Sequence, residues 1–294
     1  MNAERSGCLA LACLMLSTVH AEDSGRHSVT LSAQGDENDN RQWLGKLALP
    51  LGDHAWVQGT LGTTERPAGR PSSTNIVGAA MGIVGETVSG AVEFVQRSGD
   101  GQFEQQDWAA ALDWRGSRGG LGADVFLRSA SDESTTTQSG GPFAAPVTTR
   151  VTESVDCRGL GLHGDFALTP QATVFAGAMR YRCDFDFGST PTGSSSPLSS
   201  LLGSNAALSG IGREQAVVDS SYRVGGRYQL RSAAVSAQYF RDRIANTDET
   251  MNTVQAQVEF PLAEHWRITP TLGYSSGGSF GHTAYGGLSL SFNW

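Results

Sequence analysis

The chain has 294 residues, a formal net charge of −8 and 39% hydrophobic residues, enough for one large domain or two small ones. The acidic balance leaves no electrostatic footprint for a phosphate backbone, so nucleic acid is not an expected partner. Beyond the N-terminus no apolar run reaches the roughly eighteen residues that a membrane-spanning helix requires, and any span across a bilayer has to be built from strands.

Residues 1 to 21 carry the three parts of a secretory signal: Arg5 in a short basic start, an apolar run from Cys8 to Leu16, and the small-residue cleavage site Val19-His20-Ala21. The mature chain is expected to begin near Glu22. Cys13 follows Leu11-Ala12 as in a lipoprotein signal, but the apolar stretch before it is short and Val-x-Ala is the better match. Cys157 and Cys183 remain after cleavage, in a compartment that oxidises thiols.

The rest of the chain alternates in polarity and almost nowhere shows the i, i+3, i+4 apolar spacing of a helix. Strands are predicted over 26–34, 41–49, 55–63, 74–84, 87–97, 103–114, 120–130, 148–167, 172–186, 214–230, 233–244, 250–260, 266–276 and 282–294. That makes about fourteen, with about twelve as the alternative count. The connections at 50–54, 85–86, 115–119, 169–171, 231–232 and 261–265 are tight, whereas those at 35–40, 64–73, 98–102, 131–147, 187–213, 245–249 and 277–281 are longer or more polar. Short turns at one end and long loops at the other describe an outer-membrane barrel with both termini on the periplasmic side. The expected fold over residues 22–294 is therefore an all-β, transmembrane, antiparallel up-and-down barrel.

In the last strand Leu288, Leu290, Phe292 and Trp294 point one way and Gly287, Ser289, Ser291 and Asn293 the other, lipid suiting the first set and water the second. A soluble β-sandwich would bury such apolar rows in a shared core. Trp43, Trp56, Trp108, Trp114, Trp266 and Trp294, all near strand ends, favour the membrane barrel, where they are expected in interfacial girdles.

The stretch Gly286-Gly287-Leu288-Ser289-Leu290-Ser291-Phe292-Asn293-Trp294 resembles the C-terminal signal of Gram-negative outer-membrane β-barrel proteins, the porin-like class in its broad sense. The resemblance covers the last strand and implies the barrel assembly machinery as a partner that reads Leu288, Leu290, Phe292 and Trp294. It also implies the Gram-negative outer membrane as location, with its lipids and lipopolysaccharide as surroundings. It says nothing of what the barrel does.

A barrel of this size is wide enough for a lumen that side chains do not fill. The lumen is expected to receive Lys46, Glu93, Arg97, Asp113, Asp124, Arg128, Arg180, Arg182, Asp184, Arg223, Arg227, Glu259 and Arg267. Arg180, Arg182, Arg223 and Arg227 fall on consecutive strands and are expected to form a basic wall, facing Glu93, Asp113 and Asp124 on earlier strands. Such patches bias which ions pass; the plainer account is that interior charges pair with one another.

The segment from Gly188 to Gly212 has an apolar middle, Leu198, Leu201, Leu202, Ala206, Ala207 and Leu208, which either folds inward to narrow the lumen or packs as a surface loop. His163 and Asp165 alternate on one strand, yet two residues do not make a catalytic triad. No metal-ligand spacing is present; Asp36, Glu37 and Asp39 read as a solvated acidic turn rather than a cation site. Cys157 and Cys183 lie nearly equidistant from the turn at Pro170, within reach of a disulfide, but Phe175, Met179 and Tyr181 suggest that odd positions face lipid on the second strand. Cys183 would then face away from Cys157 unless a β-bulge intervenes, and bridged and free forms both stay open.

The expected function is a channel for passive diffusion of small polar or ionic solutes, with no catalytic residues and no cofactor. A barrel-borne enzyme site and a structural or export-accessory barrel are the alternatives.

Overall fold

The computed structural model describes residues 27–66, 72–99, 103–138, 147–187, 217–245, 249–277 and 281–294. Fourteen strands follow one another: β1 Ser28–Asp36, β2 Arg41–Pro50, β3 Ala55–Arg66, β4 Ser72–Val84, β5 Val88–Gly99, β6 Glu104–Gly116, β7 Gly119–Gln138, β8 Val147–Ala167, β9 Ala172–Phe187, β10 Val218–Gln229, β11 Ala234–Ile244, β12 Thr250–Pro261, β13 Trp266–Gly277 and β14 Gly281–Asn293. Each pairs antiparallel with the next, and β14 closes on β1 with Asn293 opposite Ser28. The barrel has fourteen strands, not twelve. An even count of antiparallel strands closes without an unpaired edge, as a bilayer demands. The candidate signal peptide and the apolar segment 188–212 lie outside the described residues.

The turns that join β2 to β3, β4 to β5, β8 to β9, β10 to β11 and β12 to β13 are tight. Backbone bonds such as Leu51 N–H to Ala55 O at 2.7 Å and Gly85 N–H to Val88 O at 2.9 Å close them. Ser28 at the start of β1 and Asn293 at the end of β14 share this rim, which is the periplasmic one. At the opposite rim β7 and β8 run to 20 and 21 residues. A tilted strand needs about 9–11 residues to cross the bilayer, so these two continue well beyond it.

The side-chain pattern is inverted relative to a water-soluble protein. Leu160 and Leu162 on the outer face are each 70% exposed, while Thr64 and Thr253 on the inner face are fully buried at 0%. Only a hydrocarbon solvent sustains such an outer face, since in water each exposed leucine forgoes about 1.5–3 kcal/mol of burial. Aromatic residues border the apolar belt on the outside. Trp43, Trp108, Tyr222, Tyr239 and Tyr274 lie toward the loop end, and Trp114, Phe166, Trp266 and Trp294 toward the periplasm. Trp56 departs from the expected girdle. It is an inward-facing residue, 8% exposed, with its indole across Gly82 of the neighbouring strand.

One strand is turned over relative to expectation. Leu160 pairs with Arg180 and Gly159 with Tyr181, so odd positions of β9 face the lumen and even positions face out. Phe175, Met179 and Tyr181 are therefore interior residues. Arg180, Arg182 and Asp184 are exposed on the outer surface. Register decides this, because a one-residue change of parity moves every side chain of a strand to the other face.

Candidate functional site

The wall of the lumen differs around its circumference. On the β12, β13, β14, β1 side it is rich in hydroxyls, with Glu259 and Arg267 as charges near the periplasmic mouth. Thr253 and Ser275 hydrogen-bond at 2.8 Å, Thr30 and Ser291 at 3.0 Å, and Ser32 and Ser289 at 3.0 Å. These inward residues are the alternate, non-lipid positions of the strands whose outer faces carry Leu31, Leu272 and Val254.

On the β5 to β8 side the wall is charged. Asp107 of β6 accepts from Arg97 of β5, from Gln105 at 2.8 Å and from both ends of the Arg128 guanidinium of β7, at 2.7 and 3.0 Å. The Arg128 guanidinium also lies 5.2 Å from the Phe126 ring centre. Closer to the periplasm, the imidazole of His163 spans two carboxylates, with Nδ1 2.7 Å from Asp124 and Nε2 2.6 Å from Asp113. An ionised carboxylate only accepts, so both bonds form together when the ring carries both protons. Near the periplasmic mouth, Glu259 of β12 lies between Arg227 of β10 and Arg267 of β13, 3.4 Å from each. Those three side chains are 29–37% exposed and their attraction is screened by water.

The lumen thus holds Glu93, Asp113, Asp124, Arg223 and Arg227 among the expected selectivity residues. Arg180 and Arg182 are excluded by the face of β9. The expected four-arginine wall is reduced to Arg223 and Arg227 of one strand. The acids are not a free patch either, because Asp113 and Asp124 are bound to His163.

A recurrent arrangement sets how far side chains intrude. Six large inward residues face a glycine directly across the strand pair: Trp56 and Gly82, His163 and Gly122, Phe175 and Gly225, Tyr181 and Gly159, Arg223 and Gly177, Tyr285 and Gly273. A Cβ at each glycine would meet the facing side chain at 2.1–2.9 Å. Each large group therefore lies along the wall, over a neighbour with no side chain of its own, instead of projecting across the lumen. The signal that identifies these glycines is a mid-strand position on the inward parity, which is usable only once register is known.

The inner wall also has apolar stretches. Leu44, Ile76 and Val95 pack together on β2, β4 and β5. Ala130, Val155, Cys157, Val217 and Ala245 form a second cluster, joined by Cys183 and Phe185. Cys157 and Cys183 are direct register partners and form a disulfide, with Cα atoms 4.1 Å apart. Both face inward, so the expected conflict of faces does not arise. The irregularity in this region falls instead in β10, between Val218 and Ser220.

In the first loop Asp36 organises its own turn. Its oxygens accept from the Asn38 N–H at 2.9 Å, the Asn40 N–H at 3.1 Å and the Asn40 amide at 2.8 Å. Among the described residues no group of three or more metal-ligating side chains comes together.

No family model and no curated protein sequence matches this chain. Solved structures do. The CymD monoaromatic hydrocarbon channel superposes with a TM-score of 0.61 at 9% identity, covering 92% of this chain and 88% of that one. The outer-membrane expressed OmpT of Vibrio cholerae gives 0.45 at 10% identity over 92% and 96%. The KdgM porin gives 0.43 at 8% identity over 91% and 99%. A closed cylinder with a polar interior, an apolar belt outside and this likeness in fold make the chain a fourteen-stranded antiparallel β-barrel of the outer-membrane type.

Proposed function

We propose that the barrel is a passive channel for small solutes, carrying polar or ionic molecules through a hydrated lumen. The observation that carries this reading is the seating of six large inward side chains over glycines, which keeps their bulk against the wall. A solute moving along the axis reaches the half-buried hydroxyls of Thr30, Ser32 and Ser291 and, near the periplasmic mouth, the Arg227, Glu259 and Arg267 group. The hydroxyls exchange hydrogen bonds with it in place of water, and the charges set the field it crosses. An enzyme reading is less well supported, since both nitrogens of His163 are occupied by carboxylates and neither holds a hydroxyl or thiol nucleophile.

A second reading concerns the solute. Phe126, Phe175, Met179, Tyr181 and Phe185 all face inward on β7 and β9, which favours solutes with an apolar portion beside a polar one. The name of CymD, a monoaromatic hydrocarbon channel, is in keeping with this.

Single-channel recording of the refolded mature protein in a planar bilayer tests both. Stable conductance steps are expected, and R223E together with R227E should move the reversal potential toward cation preference, whereas R180E on the outer surface should not. A folded barrel that never conducts overturns the channel. Block of the ionic current by small aromatic acids but not by sugars of similar size supports the second reading, and the reverse order removes it.

A further inference from the structure

On each strand the apolar outer belt ends at a definite residue on the loop side, and the next outward residue stands at the level where lipid headgroups begin. On β8 the last apolar residue is Leu160 and the next outward one is Arg158; on β9 Arg180 follows Ala178; on β11 Arg241 follows Tyr239. One further outward step brings Arg182 on β9 and Arg243 on β11. On every other strand but β2 the corresponding residue is serine, threonine, asparagine, glutamine, histidine or glycine. On β2 it is Arg41, which stands directly opposite Glu65. The basic groups are thus gathered in one sector of the wall.

Within that sector Arg158 and Arg182 are direct register partners on the same face. Like charges so placed repel. Neither they nor Arg180 or Arg241 form an ion pair with a described residue, and all four are exposed. Arg243 is 4.0 Å from Asp219. The acids of this surface stand farther from the membrane, Asp156 opposite Asp184 one outward step beyond the Arg158 and Arg182 pair. Moving away from the lipid, the order is hydrocarbon-facing leucine, then a layer of guanidinium groups, then carboxylates.

We propose that this outer face of β8, β9 and β11 is a binding site for the phosphate groups of the phosphorylated glycolipid that forms the outer leaflet. Arg158, Arg180 and Arg182 clamp one phosphate, with Arg241 and Arg243 extending the surface. The guanidinium fork matches a phosphate bidentately, and a dianionic group between Arg158 and Arg182 converts their repulsion into two attractions. The acyl chains of the same lipid lie against Leu160, Leu162 and Tyr222 directly below. The site lies at the height of a headgroup and opens sideways onto the membrane, which is why a lipid rather than a soluble anion fits it.

Refolded mature protein in phosphatidylcholine bicelles provides the test, doped in turn with bisphosphorylated lipid A, fully dephosphorylated lipid A or phosphatidylglycerol, or supplied with inorganic phosphate alone. Retained lipid is counted by native mass spectrometry, and the thermal midpoint is read by heat-modifiable gel mobility. Bisphosphorylated lipid A is expected to be retained and to raise the midpoint, while the other three do neither. The R158Q/R180Q/R182Q variant should lose at least about tenfold in lipid A affinity, with R41Q unchanged. Equal retention of the dephosphorylated form, equal binding of phosphatidylglycerol, or a triple variant that binds as the parent does would each overturn the proposal. The midpoint in pure phosphatidylcholine checks that the triple variant folds; should it not, R182Q alone carries the comparison.

Discussion

A glycine across the strand pair decides where each bulky interior side chain goes. Tyr285 shows the constraint most sharply: its ring would lie 2.1 Å from a Cβ on Gly273, and its hydroxyl donates to Gln255 at 3.1 Å. G273V should expel the ring and cost about 1–3 kcal/mol of stability, seen as a lower thermal midpoint, whereas Gly59, with open space around it, should accept alanine with little change. His163 makes the second case at this scale. H163A removes the group that links Asp113 to Asp124 and leaves two carboxylates on adjacent strands without the imidazole between them. A loss of about 1–3 kcal/mol is expected, and the double change with D113N should recover part of it.

At the scale of the strand, the Cys157–Cys183 bridge locks the register of β8 and β9 at the point where they leave the membrane. A bridge that stays closed in the unfolded chain restricts it, and for a loop of this length that is worth about 2–4 kcal/mol. C157S/C183S should therefore lower the midpoint, and reduction of the parent protein should reproduce the shift. The terminal strand carries a different consequence. Trp294 stacks on His27 with ring centres 5.4 Å apart and Phe292 packs against Trp266 at 4.7 Å, so these aromatics serve the closure of the barrel itself. W294A combined with F292A should reduce the amount of folded barrel in cells more than the yield from refolding in detergent, if the machinery implied by the C-terminal sequence also reads them.

For the whole molecule, the field along the lumen depends on which charges remain uncompensated. Glu259 is shared between Arg227 and Arg267 at the periplasmic mouth. E259Q removes one negative charge beside both arginines, so the channel should become more anion-selective, read as a reversal-potential shift in a salt gradient that shrinks as ionic strength rises. An unchanged potential would place the selective region elsewhere along the axis.

The fold was legible from the chain because a membrane barrel writes its period into every strand: alternation across the last three strands, turn residues at intervals and a terminal aromatic all survive without knowledge of any partner strand. The site was legible only in part. Lys46, Glu93, Arg97, Asp113, Asp124 and Arg128 face inward as expected, since the lipid-facing rows beside them are clean. On β9 both parities look apolar, Val174, Ala176 and Ala178 against Phe175, Met179 and Tyr181, and the larger set suggested the wrong outer face. Pairing with Leu160 and Leu162 of β8 settles it, because hydrogen-bonded neighbours must share faces. The amino-acid sequence by itself determined a transmembrane barrel, its strands and its rims, as these follow from local periodicity. Which arginines line the lumen, which face lipid, and which glycines seat the interior aromatics depend on contacts between strands, and only the closed structure decided them.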